Sequence, residues 1–183
     1  DDSCSGKSFS SVSVIGNRSK LSELLRDKSI SILAVPGRPE THRNRLSLIH
    51  SLNISADRWA TVIHPTAVIG PNVEIGSNVL IMANTVITGG NSIGNHVVVL
   101  PNTTISHDTS IGDGSLIGSN VSISGSVNIG NEVYIGSGSR IINEISIGDR
   151  SLVGLGSVVI RDIKPNVRVV GCPARELLLD SDD

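Results

Sequence analysis

Aromatic side chains are nearly missing from these 183 residues: one Trp, one Tyr and one Phe make up 2% of the chain. A globular core of the usual kind is thus short of its large side chains, and any apolar interior has to be assembled from stacked aliphatic residues. Cysteine is scarce as well. Cys4 and Cys172 lie at opposite ends with no metal-type spacing, which points to a reduced, cytoplasmic setting rather than a disulfide framework. Lys and Arg form no run and the formal net charge is −2, so the electrostatic footprint of a nucleic-acid binder is absent. No apolar run reaches membrane-spanning length, and the first residues carry no basic-then-apolar signal pattern. The chain opens on Asp1, and we expect a first strand and helix to precede it.

What is abundant is regularity. Ile or Val stands at every sixth position from Ile63 through Ile69, Ile75, Ile81, Ile87, Ile93, Val99, Ile105, Ile111, Ile117, Ile123, Ile129, Ile135, Ile141, Ile147, Val153 and Val159. A period of six fits neither a helix face nor a plain alternating strand; it marks a short strand plus a corner, repeated as a solenoid. Two residues before a ladder position there is usually a small or β-branched residue, such as Thr85, Thr103, Ser115, Val121 or Ser139, and strand alternation points both inward. The positions between hold turn residues, among them Pro71-Asn72, Ser77-Asn78, Asp113-Gly114 and Ser137-Gly138. Three corners close a triangle. That gives about 18 residues per coil, five to six coils, and a prism on the order of 27 Å long.

Residues 1–62 read differently. Val12 to Ile15 and Ile30 to Val35 are strand candidates, while Ser19 to Arg26 and Pro39 to Leu52 have helical spacing. Strand–helix–strand–helix with short links predicts a small parallel sheet, truncated at its start. We therefore expect a partial α/β unit over 1–62, the solenoid over 63–164, and a C-terminal loop and tail over 165–183.

The register of eighteen separates the three faces. After the ladder residue, one column is glycine on every coil (Gly76, Gly94, Gly112, Gly130, Gly148), and another reads Thr88, Ser106, Ser124, Ile142, Ile160. On that second face sits His107, followed by Asp108, with Gly89 and Gly125 eighteen residues away on either side. Bare backbone below and above leaves room for a substrate, and the Gly125 region can turn an N–H toward a developing oxyanion. An imidazole whose ordinary pKa lies near neutrality suits a general base.

Rival readings exist for each feature. His96 reads as a solvated turn residue and His64, before Pro65 at the mouth of the solenoid, as a cap or a packing residue. The spacings of 32 and 11 between His64, His96 and His107 do not bring three ligands together on an 18-residue coil, so no metal site is expected. The scattered threonines do not form a flat ordered array. Asp108, Glu144 and Asp162 share a column that an acidic surface ridge would also explain. The run Val170-Gly171-Cys172-Pro173-Ala174-Arg175 is a plain termination or a fold-back that offers Arg161, Arg168 or Arg175 to phosphates.

The hexads, the Ile-His-Pro-Thr-Ala opening at 63–67, the His107-Asp108 pair and the Val-Gly-Cys-Pro-Ala-Arg close at 170–175 resemble bacterial left-handed β-helix acyltransferases. The nearest branches are the sialic acid O-acetyltransferases and the nucleotide-aminosugar N-acetyltransferases of surface-glycan synthesis. Gly6-Lys7, Val14-Ile15-Gly16 and Ala34 to Arg43 are similar to the second half of that family's small N-terminal Rossmann-like nucleotide-sugar domain. The resemblance implies a left-handed coil, where the usual crossover rule alone would give a right-handed one. It further implies a homotrimer, with acetyl-CoA as co-substrate in a groove between subunits. By the same resemblance His107 is the base, Asp108 orients it, and Gly125 holds the thioester oxygen. Asn143, Arg161, Gly171, Pro173 and Arg175 lie along acetyl-CoA; Asp1, Asp2 and Gly37 belong to the sugar-nucleotide pocket. The family often has an asparagine seven residues before the base and a histidine nine after it; here these are Leu100 and Leu116. A catalytically impaired scaffold, or a small-molecule O-acetyltransferase of another hexapeptide branch, is the alternative.

Overall fold

The computed structural model describes residues 6–177, apart from the side chain of Phe9. Asp1, Asp2 and Cys4 lie outside the described residues. Contacts divide the chain into two units, 1–32 and 33–183. Residues 33–62, grouped above with the α/β unit, therefore belong structurally with the solenoid.

The second unit is a parallel β-solenoid of about six coils. Two-residue strands stack in strict register of eighteen: Thr104–Ile105 pairs with Val86–Ile87 below and Ser122–Ile123 above, and Leu116–Ile117 pairs with Val98–Val99 and Tyr134–Ile135. Three sheets result, of six, five and eight strands. We name them by what points outward. The mixed face shows Val86, Thr104, Ser122 and Arg140, the serine face Ser92, Ser110, Asn128 and Ser146, and the leucine face Leu80, Val98, Leu116, Tyr134 and Leu152.

Inside, the Ile/Val ladder does the work of the missing aromatics. Ile81, Ile87, Ile105, Ile117, Ile123 and Ile135 are fully buried, together with Val79, Val97, Val127 and Val133. Each coil covers the apolar row of the next, so burial fails only where a neighbour is lacking: Ile63, on the first coil, is 40% exposed. The small inward residues also close hydrogen bonds. The Thr103, Ser115 and Ser139 hydroxyls donate to the Gly118, Gly130 and Gly154 carbonyls at 2.7, 2.8 and 3.0 Å, satisfying corner carbonyls that no strand partner reaches.

The corners turn through left-handed backbone, with Asn72, Asn78, Asn102, Asp108, Asn120 and Glu144 all at positive φ. Asn and Asp tolerate that region best, which explains the corner composition read from the sequence. At the corner between the serine and leucine faces they also form a ladder. The Ser77, Asn95, Asp113 and Asn131 amides each donate to the side-chain oxygen one coil above, on Asn95, Asp113, Asn131 and Asp149, at 2.7 to 3.0 Å. The final coil is shortened. Ile147 bridges Ile163 and Leu152 pairs with Arg168, sixteen residues on, and Arg175–Glu176 then folds back antiparallel on Arg168–Val170.

Residues 33–59 form a strap over the solenoid. The Asn78 amide grips Ala34 from both sides, accepting from its N–H at 2.7 Å and donating to its carbonyl at 2.9 Å. Arg45 is 1% exposed and donates to the carbonyls of Pro36, His96 and Gly114. Burial pushes its pKa down to about 10, with the Glu132 carboxylate acting against that. Arg43 reaches the Arg150 and Asn166 carbonyls at 2.9 Å each. The helical expectation for Pro39 to Leu52 resolves into a 3-10 segment, Pro39–Asn44, followed by the α-helix Arg45–His50.

The first unit departs from expectation. Its described sheet is not parallel: Ser8–Phe9 and Val12–Ser13 form an antiparallel hairpin, because the two-residue turn with Ser10 at φ 53° can join only antiparallel neighbours. A 3-10 turn, Arg18–Lys20, capped by the Asn17 side chain, leads into the α-helix Leu21–Leu24. The expected strand at Ile30 to Val35 does not form; Ile32 alone carries a bridge.

Candidate active site

His107 stands on the corner between the mixed and serine faces. Its strand, Thr104–Ile105, puts the residue two positions past a fully buried ladder isoleucine, so the side chain emerges where the chain turns. The ring and the next side chain meet: His107 Nδ1 and Asp108 Oδ2 are 2.8 Å apart, each side chain 67% exposed. An ionised carboxylate only accepts, so Nδ1 carries the proton and the Nε2 lone pair is left free.

The coil above shapes the other side of the ring. A Cβ added to Gly125 would stand 2.6 Å from both His107 Cε1 and Nε2, so the imidazole lies directly against the glycine backbone. The expectation of bare backbone beside the histidine holds on this side. On the other side, a Cβ at Gly89 would meet Pro71 rather than the ring.

A second property separates this corner from the serine–leucine one. At the serine–leucine corner the Ser77, Asn95, Asp113 and Asn131 amides are tied up by the Asn/Asp ladder; at the leucine–mixed corner the Ser119 amide donates to the Ser137 hydroxyl at 3.0 Å, while among the described residues nothing accepts from the Ala83, Ser137 or Leu155 N–H. Among the described residues nothing accepts from the Gly125 N–H. An open donor beside a positioned imidazole is the arrangement that acyl transfer requires, one group to move a proton and one to hold an oxyanion.

Parallel register stacks the remaining positions. Thr104–Ile105, Ser122–Ile123, Arg140–Ile141 and Val158–Val159 pair in sequence, so His107, Gly125, Asn143 and Arg161 occupy one column on four consecutive coils. Asn143 and Arg161 are exposed. The close of the chain reaches the same end of the column: Gly171 accepts from the Val158 N–H at 3.0 Å and Ala174 donates to the Val158 carbonyl at 2.8 Å. Gly171, Pro173 and Arg175 are exposed there, with a cis peptide at Cys172–Pro173.

Gly37 does not join them. It lies in the strap, where an added Cβ would meet Arg45 and Leu116, and it rims a cavity of about 270 Å³ with Val35, Arg38, Leu100, Leu116 and Tyr134. That cavity opens on the leucine face, opposite the His107 corner of the triangular prism. Leu100 and Leu116 are on that face too. Within one chain these groups cannot meet.

His96 requires a correction. It is not a solvated turn residue: it is 8% exposed, edge-on to Trp59 and His50 at 5.4 and 5.9 Å, and its Nδ1 lies 2.9 Å from Asn78 Nδ2. Ala34 fixes the orientation of the Asn78 amide, so Nδ2 donates to His96. Burial, then the neighbouring His50, lowers the His96 pKa. Only the strap, remote in sequence, buries this corner. Of the two roles open to it, His64 takes that of a local cap: it is exposed, and its Nδ1 accepts from the Thr66 N–H at 3.2 Å. Among the described residues no group of three or more His, Cys, Asp or Glu gathers as a metal site would need, and no helix is long and apolar enough to cross a membrane.

Short parallel coils in eighteen-residue register and an open histidine–carboxylate corner are the marks of a hexapeptide-repeat transferase. The chain belongs to the bacterial hexapeptide-repeat acyltransferases of the left-handed β-helix type: residues 60–89 and 92–125 match the family described as bacterial transferase hexapeptide (six repeats). PerB from Caulobacter crescentus, solved with CoA and GDP-perosamine, is 30% identical over 91% of this chain and 79% of PerB, with a TM-score of 0.80. The acetyltransferase domain of PglB from Neisseria gonorrhoeae FA1090, solved also with acetyl coenzyme A, is 26% identical over 94% of this chain and 83% of that domain, with a TM-score of 0.84. WeeI from Acinetobacter baumannii is 26% identical over 97% and 84%, with a TM-score of 0.80. No curated protein matches the chain significantly.

Proposed function

We propose that the protein transfers the acetyl group of acetyl-CoA to the amine of a nucleotide-linked aminosugar. The observation that carries this reading is the His107–Asp108 pair lying against Gly125, whose backbone amide is left open beside the ring. The complexes of PerB with CoA and GDP-perosamine and of PglB with acetyl coenzyme A support the choice of donor and acceptor.

His107 works as the general base. With Nδ1–H held by Asp108, Nε2 takes a proton from the acceptor amine as it attacks the thioester carbonyl, and returns it to the departing thiolate. The Gly125 N–H faces the carbonyl oxygen and stabilises the charge that gathers there. Asn143, Arg161 and the 171–175 turn continue the column and hold the remainder of acetyl-CoA, the two arginines facing its phosphates. Gly37, Asp1 and Asp2 belong to the sugar-nucleotide side. Gly37 stands on the far face from His107, so a complete site joins the His107 corner of one subunit to the strap of a neighbour, in a homotrimer working in the cytoplasm. Sialic acid hydroxyls are the second class of acceptor.

The test is thiol release from acetyl-CoA across a panel of nucleotide aminosugars and sialic acids, for wild type and His107→Ala. We expect turnover with an aminosugar nucleotide and a loss of at least ~100-fold in the variant, the scale of general-base removal. Equal rates would remove His107 from the mechanism, and release with sialic acid alone would replace the acceptor. No release with any acceptor would favour a scaffold.

A further inference from the structure

We propose that Gly90 is a positioning residue for the His107–Asp108 pair, kept free of a side chain so that the Asp108 carboxylate can fold back to the imidazole. The inference rests on the proposed function in taking that pair as the proton-transfer unit.

The Asp108 carboxylate is held at two places. Its Oδ2 accepts from His107 Nδ1 at 2.8 Å, and its Oδ1 overhangs the coil below, where a Cβ on Gly90 would stand only 2.5 Å away. The Asp108 N–H donates to the Gly89 carbonyl at 3.2 Å, which fixes the backbone from which the carboxylate hangs. The oxygen therefore occupies the space that a side chain at position 90 would need.

Backbone torsion does not explain the glycine. Gly90 has φ 76°, but the residues at the same corner on other coils are Asn72, Asp108, Ser126 and Glu144, at 54°, 55°, 59° and 61°. This corner accepts side chains on every one of those coils. What distinguishes position 90 is that the carboxylate above it folds back to a histidine ring and leaves its second oxygen over the glycine. The pair is thus accommodated by two glycines on opposite sides, Gly125 against the ring and Gly90 against the carboxylate, and the sequence motif His-Asp is incomplete without both.

A methyl at position 90 would swing Oδ1 upward and draw Oδ2 from Nδ1. Without that acceptor the neutral ring reverts to the Nε2–H tautomer that dominates in free imidazole side chains, and Nε2 can no longer take the amine proton. The effect falls on turnover, not on binding.

The experiment compares Gly90→Ala with Gly138→Ala. Gly138 has the same φ of 76°, but a Cβ there meets nothing closer than Gly156 at 3.8 Å, so it reproduces the torsional strain without the clash. The His107 tautomer is read by 15N NMR with the ring neutral, and kcat and KM by thiol release. We expect Gly90→Ala to move His107 from Nδ1–H to Nε2–H and to lower kcat about 10- to 100-fold with KM unchanged, while Gly138→Ala does neither. Gly90→Asn, which copies the residue one coil below, is expected to do the same. In an Asp108→Ala background, Gly90→Ala adds no further loss. An unchanged tautomer in both Gly90 variants, or an equal change in Gly138→Ala, overturns the proposal. If wild type releases no thiol with any acceptor, the proposed function fails, and the tautomer comparison still decides the role of Gly90.

Discussion

Gly125 and His107 are eighteen residues apart in sequence and in van der Waals contact in space: a methyl group on the glycine would lie 2.6 Å from Nε2 and Cε1 of the ring. Both the base and its freedom to approach a substrate depend on this one absent side chain. Gly125→Ala is expected to push the exposed imidazole aside without loading the core. The melting temperature should then stay close to wild type while kcat falls at least ~10-fold. A loss of stability that matches the loss of turnover would show instead that Gly125 serves packing.

The solenoid should weaken according to position along its axis. Ile117 is fully buried between coils and Ile63 is 40% exposed on the first. Ile117→Ala is expected to cost about 2–5 kcal/mol and Ile63→Ala well under half of that, measured as shifts in the denaturant midpoint. Equal costs would contradict the picture of coils stabilised by their neighbours.

The Asn/Asp ladder on the serine–leucine corner alternates charge. Asp113 and Asp149 are separated by Asn131, whose side chain accepts from the Asp113 amide while its own amide donates to Asp149. Asn131→Asp would stack three carboxylates at about 4.8 Å intervals while keeping every acceptor. We expect a destabilisation of about 1 kcal/mol at low salt that fades by ~0.5 M salt. Salt independence would mean that hydrogen bonding, not repulsion, governs the column.

Two buried histidines should make the fold sensitive to acid. Burial lowers the pKa of His96, and of His42, whose Nδ1 donates to the Pro39 carbonyl at 2.6 Å. A native value below the unfolded one means that the unfolded chain binds more protons between the two. Stability is therefore complete above about pH 6.5 and is lost as pH falls through the lower native values. Thermal melts from pH 7.5 to 5 should show this decline, and His96→Gln should flatten part of it. An unchanged slope in the variant would place the acid sensitivity elsewhere.

Most of the architecture was legible because each six-residue step repeats a local choice. The Ile/Val ladder predicted the register of eighteen, the corner Asn, Pro and Gly residues predicted turns, and the register alone placed His107 beside Gly125. The strap was not legible in the same way. His96 reads as a surface turn residue until Asn78, His50 and Trp59 close around it, and those contacts need residues 34 to 59 to lie across the coils. Near the start, alternation suggested parallel strands, yet the two-residue link after Phe9 permits only a hairpin. The overhang of Asp108 on Gly90 could have been sought in the same register, since the two are also eighteen apart. The signal was a lone glycine in a column of Asn, Asp, Ser and Glu.

The sequence by itself determined the solenoid, its period and the corner on which the histidine sits, because stacking couples only neighbouring coils and a repeated pattern is enough to specify it. Tertiary structure alone decided which histidine is exposed and which is buried, and that Gly37 faces away from His107. Those outcomes depend on contacts between groups 44 to 123 residues apart, such as Asn78 with Ala34 and Arg43 with Asn166, and no local pattern encodes them.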